Sequence, residues 1–141
     1  MANIVELRDL SDDKLEEMLE NSREEMFNLR FRRASAQLED YSRLKTVRRQ
    51  IAQLETVLSN RQLAIDTAVS QKEIAAALAG KEWDASARFE YESSVWQVSI
   101  ADADGNELAT AAVNLNKKRS KKRAARQQGQ PELVTSYEIV G

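Results

Sequence analysis

Two groups of basic residues flank a short polar stretch in this 141-residue chain: Arg30, Arg32 and Arg33 before it, and Arg43, Lys45, Arg48 and Arg49 after it. A guanidinium forks onto phosphate oxygens or stacks on a base, and an ammonium neutralises a phosphate as a point charge. The chemistry on offer is polyanion binding, and an arginine cluster suits folded RNA. Any one of these residues is also at home on a solvated helix face. Seven bases gathered at one place are less so, because like charges repel unless an anion lies between them. A second run, Lys117, Lys118, Arg119, Lys121, Lys122, Arg123 and Arg126, contains seven bases and no acid. It is a candidate RNA contact of lower specificity, since such runs also serve acidic surfaces or solubility.

Other chemistries have little material. There is no His and no Cys, which removes the commonest general base, a usual zinc ligand and all thiolate or disulfide chemistry. Glu16, Glu17, Glu20, Glu24 and Glu25 are paired carboxylates, but their spacing places them on a solvated helix face. Asp102-Ala103-Asp104-Gly105-Asn106 faintly resembles a calcium loop. Counted from Asp102, the twelfth position is Val113, which lacks the bidentate carboxylate such a loop requires. A hairpin turn fits these residues better, and neither an enzyme nor a cofactor or metal site is expected.

The elements that position the bases follow from apolar spacing. Ile4, Val5, Leu7 and Leu10 suit a short helical segment. Ser11 reads as an N-cap with Asp12 and Asp13 at the positive end of a helix dipole. Leu15, Met18, Leu19, Met26 and Leu29 recur at helical spacing, with Ser22 a weak point, and predict a first long helix from Asp12 to about Leu38. Leu44, Val47, Ile51, Leu54 and Leu58 form a narrow seam on a second helix. One unbroken helix would leave both stripes unpartnered, so a turn at Glu39–Ser42 and an antiparallel hairpin are predicted. Phe27 and Phe31, four apart, lie off the first stripe. They either widen the core or meet a neighbouring protein or stacked bases.

Past Leu58 the seam weakens. Ser70-Gln71-Lys72-Glu73 has the form of a capping box before a short helix that stops at Gly80. The period then changes to two: Phe89 and Tyr91, then Trp96, Val98 and Ile100, then Ala109, Ala111, Val113 and Leu115, with Asp104-Gly105-Asn106 between the last two. Leu133–Val140 could add another strand. The expected fold is mainly α: an antiparallel hairpin of two long helices with a short N-terminal helical segment, plus a C-terminal extension with a short helix and antiparallel strands. The expected domains are a helical hairpin at 1–65 and the extension at 66–141.

The net charge of −2 argues against a nucleic-acid partner only until its distribution is counted. Residues 1–27 hold nine acids and three bases, whereas residues 28–61 hold eight bases and three acids. Local fields decide what a surface attracts. The N-terminus MANIVELRDL lacks a signal peptide's basic start and apolar core, and no apolar run approaches the roughly 20 residues of a membrane span. A cytoplasmic protein without a membrane partner is expected.

Taken together, Phe27-Asn28-Leu29-Arg30, Ala34-Ser35-Ala36-Gln37-Leu38, Arg43-Leu44-Lys45-Thr46-Val47-Arg48-Arg49-Gln50-Ile51-Ala52 and Thr56-Val57-Leu58 resemble the bacterial large-subunit ribosomal protein twenty-nine family. The resemblance covers 1–61, a little under half the chain. It implies a structural role in the large ribosomal subunit: binding ribosomal RNA near the polypeptide exit tunnel, beside ribosomal protein twenty-three. Trigger factor and the signal recognition particle act in that neighbourhood. By resemblance Arg30, Gln37, Arg48 and Arg49 carry the family's RNA-facing signature. Arg32, Arg33, Arg43 and Lys45 join them on charge. The family commonly has Gly where Ala36 stands, so the first helix is expected to run through Ala36 or the turn to begin later. Gln53 and Glu55 replace frequent bases, which makes the lower second helix a poor RNA contact. The rival expectation is a helical adaptor whose Leu44–Leu58 seam pairs with another protein.

Overall fold

The computed structural model describes residues 3–116 and 133–140. It divides into two compact units, Met1–Ser59 and Asn60–Gly141. The first is the antiparallel helical hairpin that the two stripes predict. α1 (Ile4–Asp9) opens with a reciprocal cap: the Asn3 side chain accepts from the Glu6 amide, and Glu6 accepts from the Asn3 amide. Ser11 caps α2 (Asp12–Ala34) by accepting from the Lys14 amide, as expected for a hydroxyl facing orphan donors.

Two apolar clusters hold α2 against α3 (Ser42–Val69). Met26 and Leu29 meet Leu44 and Val47 near the turn, while Leu15 and Leu19 meet Leu54, Val57 and Leu7 further away. Buried Ser22 lies between them in the α2 stripe, and half-buried Ile51 packs against both clusters. The seam shifts along α3. Val57 is buried in the place expected for Leu58, which is half-buried. At 100° per residue a repeat of three and four drifts, and α3 follows the drift to Ala64 and Ala68. Burying a Leu or Val side chain is worth about 1.5–3 kcal/mol, so these few residues are the principal apolar support of the hairpin. The seam is thereby spent within the chain and is not a surface on which an adaptor could pair.

α3 does not stop near Leu58. It continues to Val69, where the Ser70 hydroxyl and amide both donate to the Asp66 carbonyl. Ser70 is thus used to end α3, and the predicted capping box does not form. α4 (Lys72–Leu78) instead has Gln71 at its N-cap with no side-chain cap bond. Gly80, at φ +73, closes the turn after α4, with Lys81 N–H donating to Leu78 O.

Four strands follow in the order β1 (Trp83–Glu90), β2 (Val95–Asp102), β3 (Glu107–Val113) and β4 (Val134–Ile139), each antiparallel to the next. Trp96, Val98 and Ile100 from β2 and Ala109, Ala111 and Val113 from β3 form one buried face, packed with Ala64, Ala68, Ile74 and Leu78. Tyr91, expected in the first strand, stands in the β1–β2 turn, though its ring still meets Phe89 edge to face at 4.8 Å. At the β2–β3 turn, the Asp102 carboxylate accepts from the Asp104 and Asn106 amides, with Gly105 at φ +88. This is a three-residue hairpin loop with its left-handed position filled by glycine.

Candidate nucleic-acid interface

The hairpin turn begins earlier than expected. α2 stops at Ala34, four residues short of Leu38, and Ala36 takes the left-handed conformation at φ +57. Gln37 N–H donates to Arg32 O at 2.8 Å and Ala36 N–H to Arg33 O at 3.2 Å. These two bonds are the Schellman stop, with alanine where glycine is usual. The expectation that Ala36 would carry the helix onward is therefore wrong. Satisfying the last carbonyls outweighs the roughly 1–2 kcal/mol that a Cβ costs in this region. Restart is set by Asp40, whose carboxylate accepts from the Ser42 amide and hydroxyl. These bonds, the side-chain one first, hold the Asp40 carboxyl below its ordinary pKa.

The loop that results brings Arg32, Gln37 and Arg43 around one open depression, lined also by Leu29, Leu38, Glu39 and Asp40. Arg43 is also held across the hairpin: its Nε and Nη2 both donate to Glu25 Oε1, at 2.6 and 2.5 Å. Arg23 likewise reaches Glu55 at 2.9 Å. Both pairs are about half exposed, so each contributes at most about 1 kcal/mol. The pair with Glu25 fixes the position of Arg43.

Arg30, Arg32, Arg33, Gln37, Lys45, Arg48 and Arg49 are all exposed. The six bases among them form no ion pair with another described residue. Helical geometry divides them between faces. Lys45 and Arg49, four apart, align on the side of α3 away from the seam; Arg48 lies at its flank and Arg33 continues the α2 seam beyond Leu29. The result is a basic collar around the end of the hairpin, with one side open as the Arg32–Arg43 depression. Lys117, Lys118, Arg119, Lys121, Lys122 and Arg123 lie outside the described residues.

Reasoning from spacing left Phe27 and Phe31 undecided between core and surface. They are 70% and 67% exposed, on the outer side of α2. Tyr41, which sequence reasoning missed, is 59% exposed beside Asp40 at the turn. Its signal was an aromatic residue inside a polar turn. Lower on α3, Gln53 is half-buried with its side-chain oxygen unpartnered among the described residues. Among the described residues there is no cluster of His, Cys, Asp or Glu able to hold a metal ion, and no helix long and apolar enough to cross a membrane.

Comparison with known sequences places this hairpin. The profile of the ribosomal L29 protein family matches residues 5–61. The large ribosomal subunit protein uL29 of Mycobacterium tuberculosis (strain ATCC 25177 / H37Ra) is 50% identical over 68 residues, 48% of this chain and 88% of that protein. For uL29 of Streptomyces griseus the identity is 48% over 65 residues, 46% of this chain and 88% of the relative. For Mycolicibacterium smegmatis it is 52% over 60 residues, 43% and 78%. The matches take in most of each relative and less than half of this chain. At about half identity across most of those relatives, this chain belongs to the ribosomal L29 protein family.

Proposed function

We propose that this protein is a structural component of the large ribosomal subunit, in the cytoplasmic ribosome, and that its hairpin docks on ribosomal RNA through the basic collar. The observation that carries the reading is the early Schellman stop, which gathers Arg32, Gln37 and Arg43 at one depression beside uncompensated Arg30, Arg33, Lys45, Arg48 and Arg49. Arginines without ion-pair partners raise the local potential, and an RNA backbone relieves it while releasing counterions. The guanidinium fork fixes orientation on phosphate, and Gln37 adds a neutral donor and acceptor. Nothing in this mechanism requires bond making, so the role is positional and electrostatic.

Family membership supports a location near the polypeptide exit tunnel beside ribosomal protein twenty-three, where trigger factor and the signal recognition particle act. The docking domain is residues 1–65. The extension, 66–141, lies on the ribosome surface, with Lys117–Arg126 adding RNA contacts. Full-length protein with Arg48→Gln and Arg49→Gln is the test. Its RNA affinity falls, and the dependence of log affinity on log salt loses about one unit of slope per phosphate contact removed. An unchanged slope would overturn the assignment of these two residues to phosphate. Retention on purified large subunits through a high-salt wash tests the wider reading, because a peripheral adaptor washes off.

A further inference from the structure

The depression at the hairpin turn carries acids as well as bases. Glu39 and Asp40 line it together with Arg32 and Arg43, and Leu29 and half-buried Leu38 are its apolar part. Two of the four charges are already engaged: Arg43 donates to Glu25, and Asp40 Oδ1 accepts from the Ser42 amide and hydroxyl. The other two are not. Arg32 and Glu39 are exposed, opposite in charge and line one depression, yet among the described residues neither side chain has an ion pair or hydrogen bond. The open depression holds about 450 Å³, within the roughly 300–1,000 Å³ of small-ligand clefts.

A phosphate fits this depression poorly, because it would approach two carboxylates as it approached Arg32. An aliphatic side chain would leave both charges unanswered. The ligand that satisfies both has two acceptors on one edge, two donors on the next, and a flat apolar face. Among nucleobases that is guanine. Its O6 and N7 accept from a guanidinium fork, while its N1–H and N2 amine donate to a carboxylate. Adenine offers one acceptor and one donor where guanine offers O6 and N7, and the pyrimidines have no N7. The unpaired bases around the depression, Arg30, Arg33, Lys45, Arg48 and Arg49, favour a ligand that brings phosphates with it.

We propose that the depression at Arg32 and Glu39 receives one unpaired guanine of an RNA, a base-reading site at the open side of the phosphate-binding collar. Arg32 forks onto O6 and N7, and Glu39 accepts from N1–H and the N2 amine. The face of the base lies against Leu29 and Leu38, and Arg43, held by Glu25, borders it with a fixed guanidinium on which the ring can stack. Unpaired bases are the part of an RNA that exposes both edges. The site rests on the reading that the collar docks on RNA, and adds a base preference that phosphate contacts cannot give.

The test titrates the full chain, at one low salt concentration, with fluorescein-labelled uridine heptamers carrying a central guanosine or adenosine. The guanosine RNA should bind about fivefold more tightly or better, the lower end for a bidentate base contact, with amide shifts at residues 37–43. Inosine, which lacks the N2 amine, and 7-deazaguanosine, which lacks N7, should each lose part of the preference. Glu39→Gln should weaken binding of the guanosine RNA and tighten that of the adenosine RNA, because a repelling carboxylate is gone. Tightening of both alike would show Glu39 to be a surface charge only and overturn the site. Equal binding of the two RNAs, a preference for adenosine, or guanosine shifts confined to residues 117–126 would overturn it too. The collar is judged separately, by the salt slope of the Arg48→Gln, Arg49→Gln protein. Loss of slope there without a guanosine preference sinks the pocket alone, whereas no binding of either RNA sinks both.

Discussion

Between α2 and α3 the core is a line, whereas under the sheet it is a layer. The line is made by Leu15, Leu19, Met26 and Leu29 on one side and Leu44, Val47, Leu54 and Val57 on the other, narrowed at Ser22. The layer joins Trp96, Val98 and Ile100 to Ala109, Ala111 and Val113, with Ala64, Ala68, Ile74 and Leu78 on top. A line leaves most of each helix surface free, so charge can be sorted along it: acids over α2, bases at the turn. A layer covers one face of its strands and satisfies main chain within the sheet. The two regions thus use their surfaces differently: side-chain charge is sorted along one, and main-chain hydrogen bonds knit the other.

The largest effects test whether the two cores are energetically separate. Leu54 and Ile100 are both fully buried, and truncating either to alanine should cost about 2–5 kcal/mol. Leu54→Ala should raise hydrogen exchange in α1, α2 and the first half of α3 while β2 and β3 keep their protection. Ile100→Ala should do the reverse. Loss of protection everywhere in both variants would show one cooperative core instead of two.

Next in size is the contrast in charge. Replacing Arg48 and Arg49 by glutamine should reduce the salt slope of RNA binding by about two units if each meets one phosphate. The same exchange at Lys81 and Arg88 in the second unit should leave the slope where it was. Equal losses from both pairs would erase the distinction between the basic end of the hairpin and the strands of the sheet.

A smaller effect distinguishes the two kinds of turn. Gly105 already fills the left-handed position of the β2–β3 loop, whereas Ala36 fills that of the hairpin. Ala36→Gly relieves about 1–2 kcal/mol of conformational strain and gives back about 0.4–1 kcal/mol in unfolded-chain entropy. Strain wins, and net stabilisation of about 0.5–1 kcal/mol should appear in denaturant unfolding of the helical unit. Destabilisation would mean that the Ala36 methyl makes a favourable contact.

The smallest effect is shared. Asp40 and Asp102 both have carboxyls below the ordinary 3.8, the first held there chiefly by the Ser42 hydroxyl and the second by the Asn106 amide. A pKa lower in the folded chain gives stability that is present above the unfolded value and fades as pH falls through the folded one. Both turns should therefore lose their contribution below about pH 4. Asp40→Asn should remove that acid dependence in the helical unit only, read by thermal unfolding at pH 3 and pH 6.

The helices and strands were legible because their apolar periods are clean. Leu15 to Leu29 repeats by threes and fours, and Trp96, Val98 and Ile100 by twos. Ends were harder. Ala36 has high helix propensity, and nothing local announces that two carbonyl partners, at Arg32 and Arg33, will stop α2 there. Ser70 could serve either the helix behind it or the one ahead, and its sequence reads equally well both ways. Phe27 and Phe31 could be placed only by knowing which stripe of α2 met α3.

Sequence alone determined the residue types that do the work: arginines around a turn, a narrow seam to bring two helices together, and an alternating run to build a sheet. It also determined the sorting of charge, since acids and bases are segregated along the chain itself. Tertiary structure decided which of those groups remain available. It consumed Leu44–Val57 within the hairpin, tied Arg43 to Glu25, and left Phe27, Phe31 and six bases exposed. Among the described residues it also set β4 last in the sheet, with Tyr137 and Ile139 partly exposed beside buried Ala111 and Ala109. The reason is physical: a side chain's type is local, but its burial and its free hydrogen-bonding groups depend on which neighbours the fold brings to it.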